Sequence, residues 1–284
     1  MNKAQPDNLM TVLAHYGTLP DEDIDLGRAA LVLAALDHPV VSLDRYHVHL
    51  DKLVAAAREY FDAQIAQGRE DDISLRIEVL KHVLAEQNEY RGDEETYDDL
   101  QNASLIRVIE RRKGMPITLS ILYLHVARAL GWAAHGLNLP GHFIIRLDKG
   151  AERVIIDPFQ QGAILQAADL RRIVKLFLGP DAELSADYYN PADNREILVR
   201  LQNNIKTRLI ENEDYEGALK IVDILRVLAP QEYRLLLDEG VLSARTDRPQ
   251  KAVSALETYI ALAPKSQDTH DAVMLLYQIK QNLN

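Results

Sequence analysis

The sequence contains no cysteine among its 284 residues. A chain without thiols forms no disulfide bond and no thiolate metal site. The absence also excludes every enzyme mechanism in which a cysteine thiolate attacks the substrate. Any catalysis by this protein therefore needs another nucleophile, and the composition is typical of a reducing compartment.

Excess positive charge and long apolar runs are also lacking. Acidic residues outnumber basic ones by 43 to 32, which gives a formal net charge of -11. Nucleic acids and anionic membranes bind surfaces rich in Lys and Arg, so this balance argues against both as the main partner. No run approaches the roughly 18 apolar residues of a membrane span, and Met1–Asn8 leads into no apolar signal segment. We therefore expect a cytoplasmic protein that binds neither nucleic acid nor a membrane.

The C-terminal third contains an internal repeat. The segment Tyr215–Pro230 recurs 34 residues later as Pro249–Pro264, and 34 residues is the tetratricopeptide period. Ala218 and Ala252 fall where two helices must approach closely. With the amphipathic stretch Gln267–Asn282, the region amounts to about two and a half repeats.

The two repeat units differ at a position in their first helices that needs a small residue. Gly240 meets this need in the second unit, whereas the first unit has Lys206. Since about three repeats are needed to bury a continuous core, we expect paired helices from about residue 197 onward that depend on the rest of the protein.

The first hundred residues favour helices. Apolar residues recur at helical spacing, which predicts a helical N-terminal subdomain over residues 1–95, packed on the centre of the chain. The predicted helices are Leu26–Leu36, Leu50–Ile65 and Ser74–Gln87.

Two local features in this part invite a functional interpretation. His47 and His49 alternate as two metal ligands on one strand face would, but no third ligand can be assigned, so we expect no metal site there. The acidic stretch Asp93–Asp99 lacks the spacing of a calcium loop, and we interpret it as a solvated linker.

The centre of the chain combines a buried helix with short strands. Ile117–Leu130 is apolar on nearly all sides, which indicates a helix enclosed by the core, with Pro116 in its first turn and Gly131 at its end. The runs that follow predict an antiparallel sheet against this helix, and so an α+β class. These runs are Ala134–Leu139, Phe143–Leu147 and Arg153–Ile156.

Five segments of this centre carry the most specific signal. They are Asn102–Leu105, Val108–Ser120, Tyr123, Leu137–Phe143 and Asp157–Phe159. Together they resemble the bacterial SirB family, whose members join a transglutaminase-like domain to tetratricopeptide repeats. The resemblance implies a transglutaminase-like (papain-like) α+β core at residues 96–190, followed by an all-α repeat region at residues 191–284.

The central block is also similar to the transglutaminase core pattern G-x-C-x-x-x-A-x-x-x-x-x-x-x-R-x-x-G. Laid on this chain without a gap, the pattern matches Gly114, Arg128 and Gly131. Pro116 then stands where the pattern has its cysteine, and Ser120 stands at the small alanine. The nucleophile of the family is therefore absent.

The resemblance places the other two members of a catalytic triad at His142 and Asp157. Without the cysteine, Ser120 is an alternative nucleophile, because it lies one helical turn beyond Pro116 on the same face. Thr118 points about 200 degrees away from Pro116 and is worse placed. A water activated by His142 and Asp157 is a further alternative, whereas a metal on these two residues lacks a third ligand.

The remaining polar residues of the block have structural interpretations. Tyr123 and His125 lie on the central helix and are expected in the core. The basic trio Arg111–Lys113 suits a helix C-terminus, where cations complement the helix dipole.

Two classes of function remain open. The first is a non-catalytic protein-interaction or scaffold protein that holds a protein or peptide on its repeats, with Pro116, His142 and Asp157 as vestigial positions. The second is a cryptic hydrolase or acyl-transfer enzyme that uses Ser120 or a water with His142 and Asp157. The sequence favours the first class, without enzymatic activity and without a cofactor.

Overall fold

The computed structural model describes residues 6–37 and 41–283. The chain divides into two compact units. The first comprises the residues up to Leu9 and Pro20–Leu198, and the second comprises Met10–Leu19 and the residues from Val199 onward. The predicted boundaries at residues 95 and 190 stay a prediction. No helix in the described part of the chain is long and apolar enough to cross a membrane.

The first part of the chain is helical. Asp25 and Asp72 begin two of these helices by accepting hydrogen bonds from the backbone N–H groups of Arg28 and Leu75. The three predicted helices are confirmed, and a π-helical turn at Lys81–Gln87 extends the last of them. The helices are α1 (Pro6–Thr18), α2 (Leu26–Leu36), α3 (Asp44–Ala66) and α4 (Ile73–Leu80).

The strand interpretation of His47 and His49 is wrong, because α3 begins at Asp44. Residues two apart on a helix point about 200 degrees from each other, so the two imidazoles share no face. The Nε2 atom of His49 lies 2.7 Å from the Tyr90 hydroxyl and 2.9 Å from Nη1 of Arg112. Burial, followed by the charge of Arg112, lowers the pKa of His49 to about 4. His49 is therefore a neutral acceptor for Arg112.

The central helix is enclosed as predicted. Strand β1 (Arg91–Gly92) pairs in parallel with β2 (Lys113–Gly114), and α5 (Leu105–Arg111) lies between them in the chain. The helix α6 (Pro116–Ala129) follows β2 directly and is buried over most of its length. Proline suits its first position, where the N–H has no intrahelical partner.

An antiparallel sheet packs against α6. Its three long strands confirm the predicted ones, with Ile145 opposite Ile156 in the register. In the described part of the chain, the sheet has five strands in the order β6-β5-β4-β3-β7. The strands are β3 (Ala133–Leu139), β4 (His142–Lys149), β5 (Glu152–Asp157), β6 (Ala163–Leu165) and β7 (Pro191–Ala192), with α7 (Ala167–Leu178) between β6 and β7.

The carboxylate of Asp21 caps a helix that begins far along the chain. The helix α8 (Asn194–Glu211) begins with backbone N–H groups that lack intrahelical partners. Asp21 accepts from two of them, those of Asn194 at 2.7 Å and Arg195 at 2.8 Å. The cap joins two segments of the first unit that are far apart in the chain.

The second unit contains the predicted helix pairs. After α8 come α9 (Tyr215–Leu228), α10 (Arg234–Arg245), α11 (Pro249–Leu262) and α12 (Gln267–Leu283). Ala218 and Ala252 are fully buried, and a Cβ atom at Gly240 would lie 2.6 Å from the Leu256 side chain. The ammonium group of Lys206, at the non-small position of the first pair, forms an ion pair with Asp238.

Candidate functional site

His142 and Asp157 meet at one end of the sheet. His142 opens β4 after the tight turn at Gly141, and Asp157 closes β5. The Nε2 atom of His142 lies 2.9 Å from Oδ2 of Asp157, which confirms the predicted contact. The other carboxylate oxygen accepts from the backbone N–H of Phe159 at 2.9 Å. A carboxylate oxygen accepts hydrogen bonds, so this contact fits an imidazole that donates from Nε2.

The start of α6 is tied to the same region through β1. The N–H of Gly92 donates to the carbonyl of Phe159, and the N–H of Asp93 donates to the carbonyl of Gly114. The ring of Phe159 stands edge-on to the imidazole of His142 with 6.0 Å between centroids. One short strand thus connects the segment before Pro116 to the aromatic ring that borders His142.

Gly92 is required by this arrangement. A Cβ atom there would lie 2.6 Å from the ring of Phe159, closer than side-chain atoms approach. The same ring packs edge-on against Tyr97 at 5.9 Å. The imidazole therefore lies against an aromatic wall formed by Phe159, which Tyr97 continues.

The linker interpretation of Asp93–Asp99 is wrong at Asp93, whose side chain is only 1% exposed. Its carboxylate accepts from Nη2 of Arg111 at 2.6 Å, from the Thr96 hydroxyl at 2.7 Å and from the Thr96 N–H at 3.1 Å. Burial raises the pKa of Asp93, but the bonds from Thr96 and the Arg111 guanidinium outweigh it and lower the pKa to about 2. Nη1 of Arg111 also donates to Oδ1 of Asn102 at 2.9 Å.

Sequence reasoning missed this cluster of Asp93, Thr96, Asn102 and Arg111. Arg111 does lie in the last turn of α5, as predicted, but its guanidinium binds a buried carboxylate. The detectable signal was an aspartate followed three residues later by threonine, a spacing typical of a capped turn. The cluster holds the loop that carries Tyr97.

The polar residues inside α6 are buried. The hydroxyl of Thr118 donates to the backbone carbonyl of Asn102 at 2.8 Å. Oγ of Ser120 is buried and has no hydrogen-bond partner in the described residues. Tyr123 is fully buried, as predicted, and burial raises the pKa of its hydroxyl above the usual range. Neither hydroxyl at 118 or 120 makes a hydrogen bond to His142.

Replacing Ser120 by alanine is expected to raise the free energy of unfolding by about 1 kcal/mol, because the change removes a buried hydroxyl that lacks a partner. Denaturant unfolding followed by the fluorescence of Trp132 measures the change. Thr118→Val is the matched control and is expected to lose about 1 kcal/mol with its hydrogen bond. A loss of stability in Ser120→Ala would show that its hydroxyl is bonded in solution.

Comparisons with known proteins agree with this architecture. Residues 44–203 match the family model of the transglutaminase-like superfamily, and residues 205–277 match the tetratricopeptide repeat. The order predicted from the resemblance to the SirB family is thereby confirmed.

Relatives occur in bacteria and in animals. A UPF0162 protein of Xylella fastidiosa strain 9a5c is 31% identical over 273 residues, which cover 94% of this chain and 93% of the relative. A UPF0162 protein of Vibrio cholerae is 29% identical over 250 residues, with 87% and 90% covered. The human F-box only protein 21 is 27% identical over 180 residues, which cover 58% of this chain but 28% of that protein. The chain belongs to the UPF0162 protein family and, through its central domain, to the transglutaminase-like superfamily.

Proposed function

We propose that this protein is a non-catalytic interaction protein whose transglutaminase-like domain is a scaffold and whose repeats bind a polypeptide. The observation that carries the proposal is Pro116 at the first position of α6, where the transglutaminase pattern has its cysteine. Tetratricopeptide repeats generally form curved surfaces that bind proteins or peptides, which supports the second half of the proposal.

The chemistry of a helix start explains why Pro116 ends cysteine catalysis. In a cysteine enzyme, the positive end of the helix and a neighbouring imidazole ionise the thiol, and a carboxylate orients that imidazole. Proline has no nucleophilic atom and no N–H to donate to an oxyanion. The bond between His142 and Asp157 then serves to fix the ends of two strands.

The serine form of the alternative has little support from the geometry. A serine nucleophile needs a base within hydrogen-bond reach, about 2.6–3.2 Å. Oγ of Ser120 makes no hydrogen bond in the described part of the chain and is buried within α6. Water activated by His142 is the form of the alternative that turnover assays must test.

Purified protein is expected to show no turnover of peptide, ester or glutamine-amide substrates above the uncatalysed rate. The assay includes the wild type, Ser120→Ala and His142→Ala, with each fold checked by circular dichroism. All three should be equally inactive, because Pro116 has no nucleophilic atom and neither the Thr118 nor the Ser120 hydroxyl has a base as hydrogen-bond partner in the described residues. Turnover that disappears in His142→Ala but persists in Ser120→Ala identifies an activated water, and loss in both identifies a serine enzyme.

Affinity capture on the intact protein tests the binding half of the proposal. Polypeptides that remain bound are identified, purified and titrated against the protein. His142→Ala should retain these polypeptides with unchanged affinity, since the repeats and not the vestigial site hold them. If His142→Ala loses them while its fold is intact, the partner binds the vestigial site and the repeat assignment is wrong.

A further inference from the structure

A pocket lies in the first unit, formed by residues that the vestigial site does not use. Its volume is about 310 Å³. It is lined by the segment 22–26 before and at the start of α2, by His125, Arg128 and Ala129 of α6, and by Asn194 of α8. Pockets of a few hundred cubic ångströms are at the small end of those that hold metabolite-sized ligands.

Arg128 contributes a positive charge that lacks a carboxylate partner in the described residues. Its Nε donates to the carbonyl of Ala134 at 3.0 Å, and its Nη1 donates to Oδ1 of Asn194 at 2.6 Å. Both acceptors are neutral. Burial lowers the pKa of Arg128, with a smaller opposing effect from Asp21. A desolvated guanidinium is normally paired, so an anion that reaches this pocket gains a strong, charge-assisted contact.

His125 lines the same pocket. Its side chain is 10% exposed, and its Nδ1 lies 3.4 Å from Oδ1 of Asp25. The Nε2 atom is buried and has no hydrogen-bond partner in the described part of the chain. Gly27 leaves space for this ring, because a Cβ atom there would lie 2.7 Å from Nδ1.

Asp25 lies beside His125 at this pocket. The carboxylate of Asp25 also accepts from the N–H of Arg28 at 3.0 Å. Burial raises the pKa of Asp25, but the bonds from His125 and Arg28 outweigh it and lower the pKa below its usual value. The carboxylate of Asp25 therefore stays negative beside the ring of His125 and does not offer a cation to a ligand.

Two free carboxylates form the rim. Glu22 and Asp23 line the pocket and are exposed, and their side chains make no hydrogen bond or ion pair within the described residues. The carboxylate of Asp25 is already engaged by Arg28, with 3.3 Å between Oδ2 and Nε. The uncompensated charges are therefore two negative groups at the rim and one positive group, Arg128.

We propose that this pocket binds a small basic amino acid. The ligand carboxylate pairs with Arg128, and its cationic groups face Glu22 and Asp23. A basic amino acid carries one negative and two positive charges at neutral pH, which balance the pocket. Glu22 and Asp23 repel an anion that carries no positive charge, and an amine without a carboxylate leaves Arg128 unpaired.

Isothermal titration of the full chain with L-arginine tests the proposal. We expect saturable binding to one site with a Kd of about 1 mM or below. Agmatine, which lacks the carboxylate, should bind at least about 10-fold more weakly because it loses the charge-assisted contact with Arg128. L-citrulline, which lacks the side-chain charge, should bind about 3- to 10-fold more weakly. No heat of binding with L-arginine, or equal affinity for all three probes, overturns the proposal.

The double variant Glu22→Gln, Asp23→Asn locates the site. Both side chains are exposed and make no bonds within the described residues, so the fold should be unchanged. We expect L-arginine to bind about 3- to 10-fold more weakly. Glu59→Gln with Asp62→Asn removes the same charge from two exposed positions of α3 and should leave the affinity unchanged. If the two double variants weaken binding equally, the affinity depends on the net charge of the protein and not on this pocket, and the assignment is overturned.

Discussion

Replacing Asp93 by asparagine is expected to lower the free energy of unfolding by about 3 kcal/mol. The change removes the charge that the Arg111 guanidinium and two groups of Thr96 surround. Breaking a buried ion pair from one side is costly because the remaining charge loses its partner. Arg111 retains 27% exposure, which holds the loss near the lower end of the range for such pairs. Denaturant unfolding monitored by the fluorescence of Trp132 measures this loss of free energy.

The exposed ion pair of the same loop provides the control. Glu95 lies 2.8 Å from the ammonium group of Lys113, but its side chain is 81% exposed. Glu95→Gln should therefore destabilise the protein far less than Asp93→Asn does. If both variants lose the same free energy, the effect belongs to the charge of the loop and not to the buried cluster.

The pH dependence of stability gives an independent measurement of Asp93. Its pKa is about 2 in the folded protein against 3.8 for the unfolded group, so folding favours the ionised form. This contribution, about 2 kcal/mol, is fully present above roughly pH 4 and is lost as the pH falls toward 2. The Asp93→Asn variant should lack that part of the acid-dependent loss. An unchanged acid profile in the variant would contradict the assigned pKa.

Gly240→Val is expected to cost about 2 kcal/mol and to loosen the pair of α10 and α11. The added atoms overlap the Leu256 side chain, whose nearest atoms lie 2.6 Å from the position of the first carbon. Valine is a better helix former than glycine, which offsets part of the overlap. Hydrogen exchange of the α10 and α11 amides localises the effect in the second unit, which the single tryptophan, Trp132 in the first unit, does not report.

A double-mutant cycle separates overlap from any general effect of a larger residue. Leu256→Ala alone should cost about 2–5 kcal/mol through the cavity that it leaves. When Leu256→Ala is combined with Gly240→Val, the introduced valine side chain occupies part of that cavity. The combined loss should therefore be smaller than the sum of the two single losses by at least about 1 kcal/mol. Additive losses would show that the two positions do not touch in solution.

The sequence predicts those helices and strands whose apolar pattern continues over many consecutive residues. The strands Ala133–Leu139 and His142–Lys149 were found because their apolar runs cover most of each element. The strands β1, β2 and β7 have two residues each, too few for any periodicity, and they form only because other segments present hydrogen-bonding partners. The beginning of α3 was missed because the alternation of His47, Val48 and His49 is also compatible with a strand.

The candidate site also contains some features that the sequence predicted and others that it did not. The contact between His142 and Asp157 was predicted because each lies in a short motif shared with a known family. Asp93 was misread because its partner Arg111 lies 18 residues away and the local pattern shows only an acidic run. The pocket at Arg128 was not predicted at all, since its walls come from three distant segments. Pairings of this kind are set by the tertiary fold and leave no local pattern.

The second unit is formed by two segments that are far apart in the chain, so they are synthesised at different times. Its first piece, Met10–Leu19, leaves the ribosome early, whereas its other piece begins at Val199. Translation at about 5–20 residues per second separates the two by roughly 10–40 s. Leu13, which is fully buried in the finished protein, lies in the piece that is made first. Gly17, whose Cβ position lies 2.2 Å from the carbonyl oxygen of Val227, reaches its place only after α9 has been synthesised. A nascent chain stalled before residue 199 therefore exposes this helix to chaperones and proteases, and expression of residues 199–284 alone yields repeats that lack their N-terminal piece.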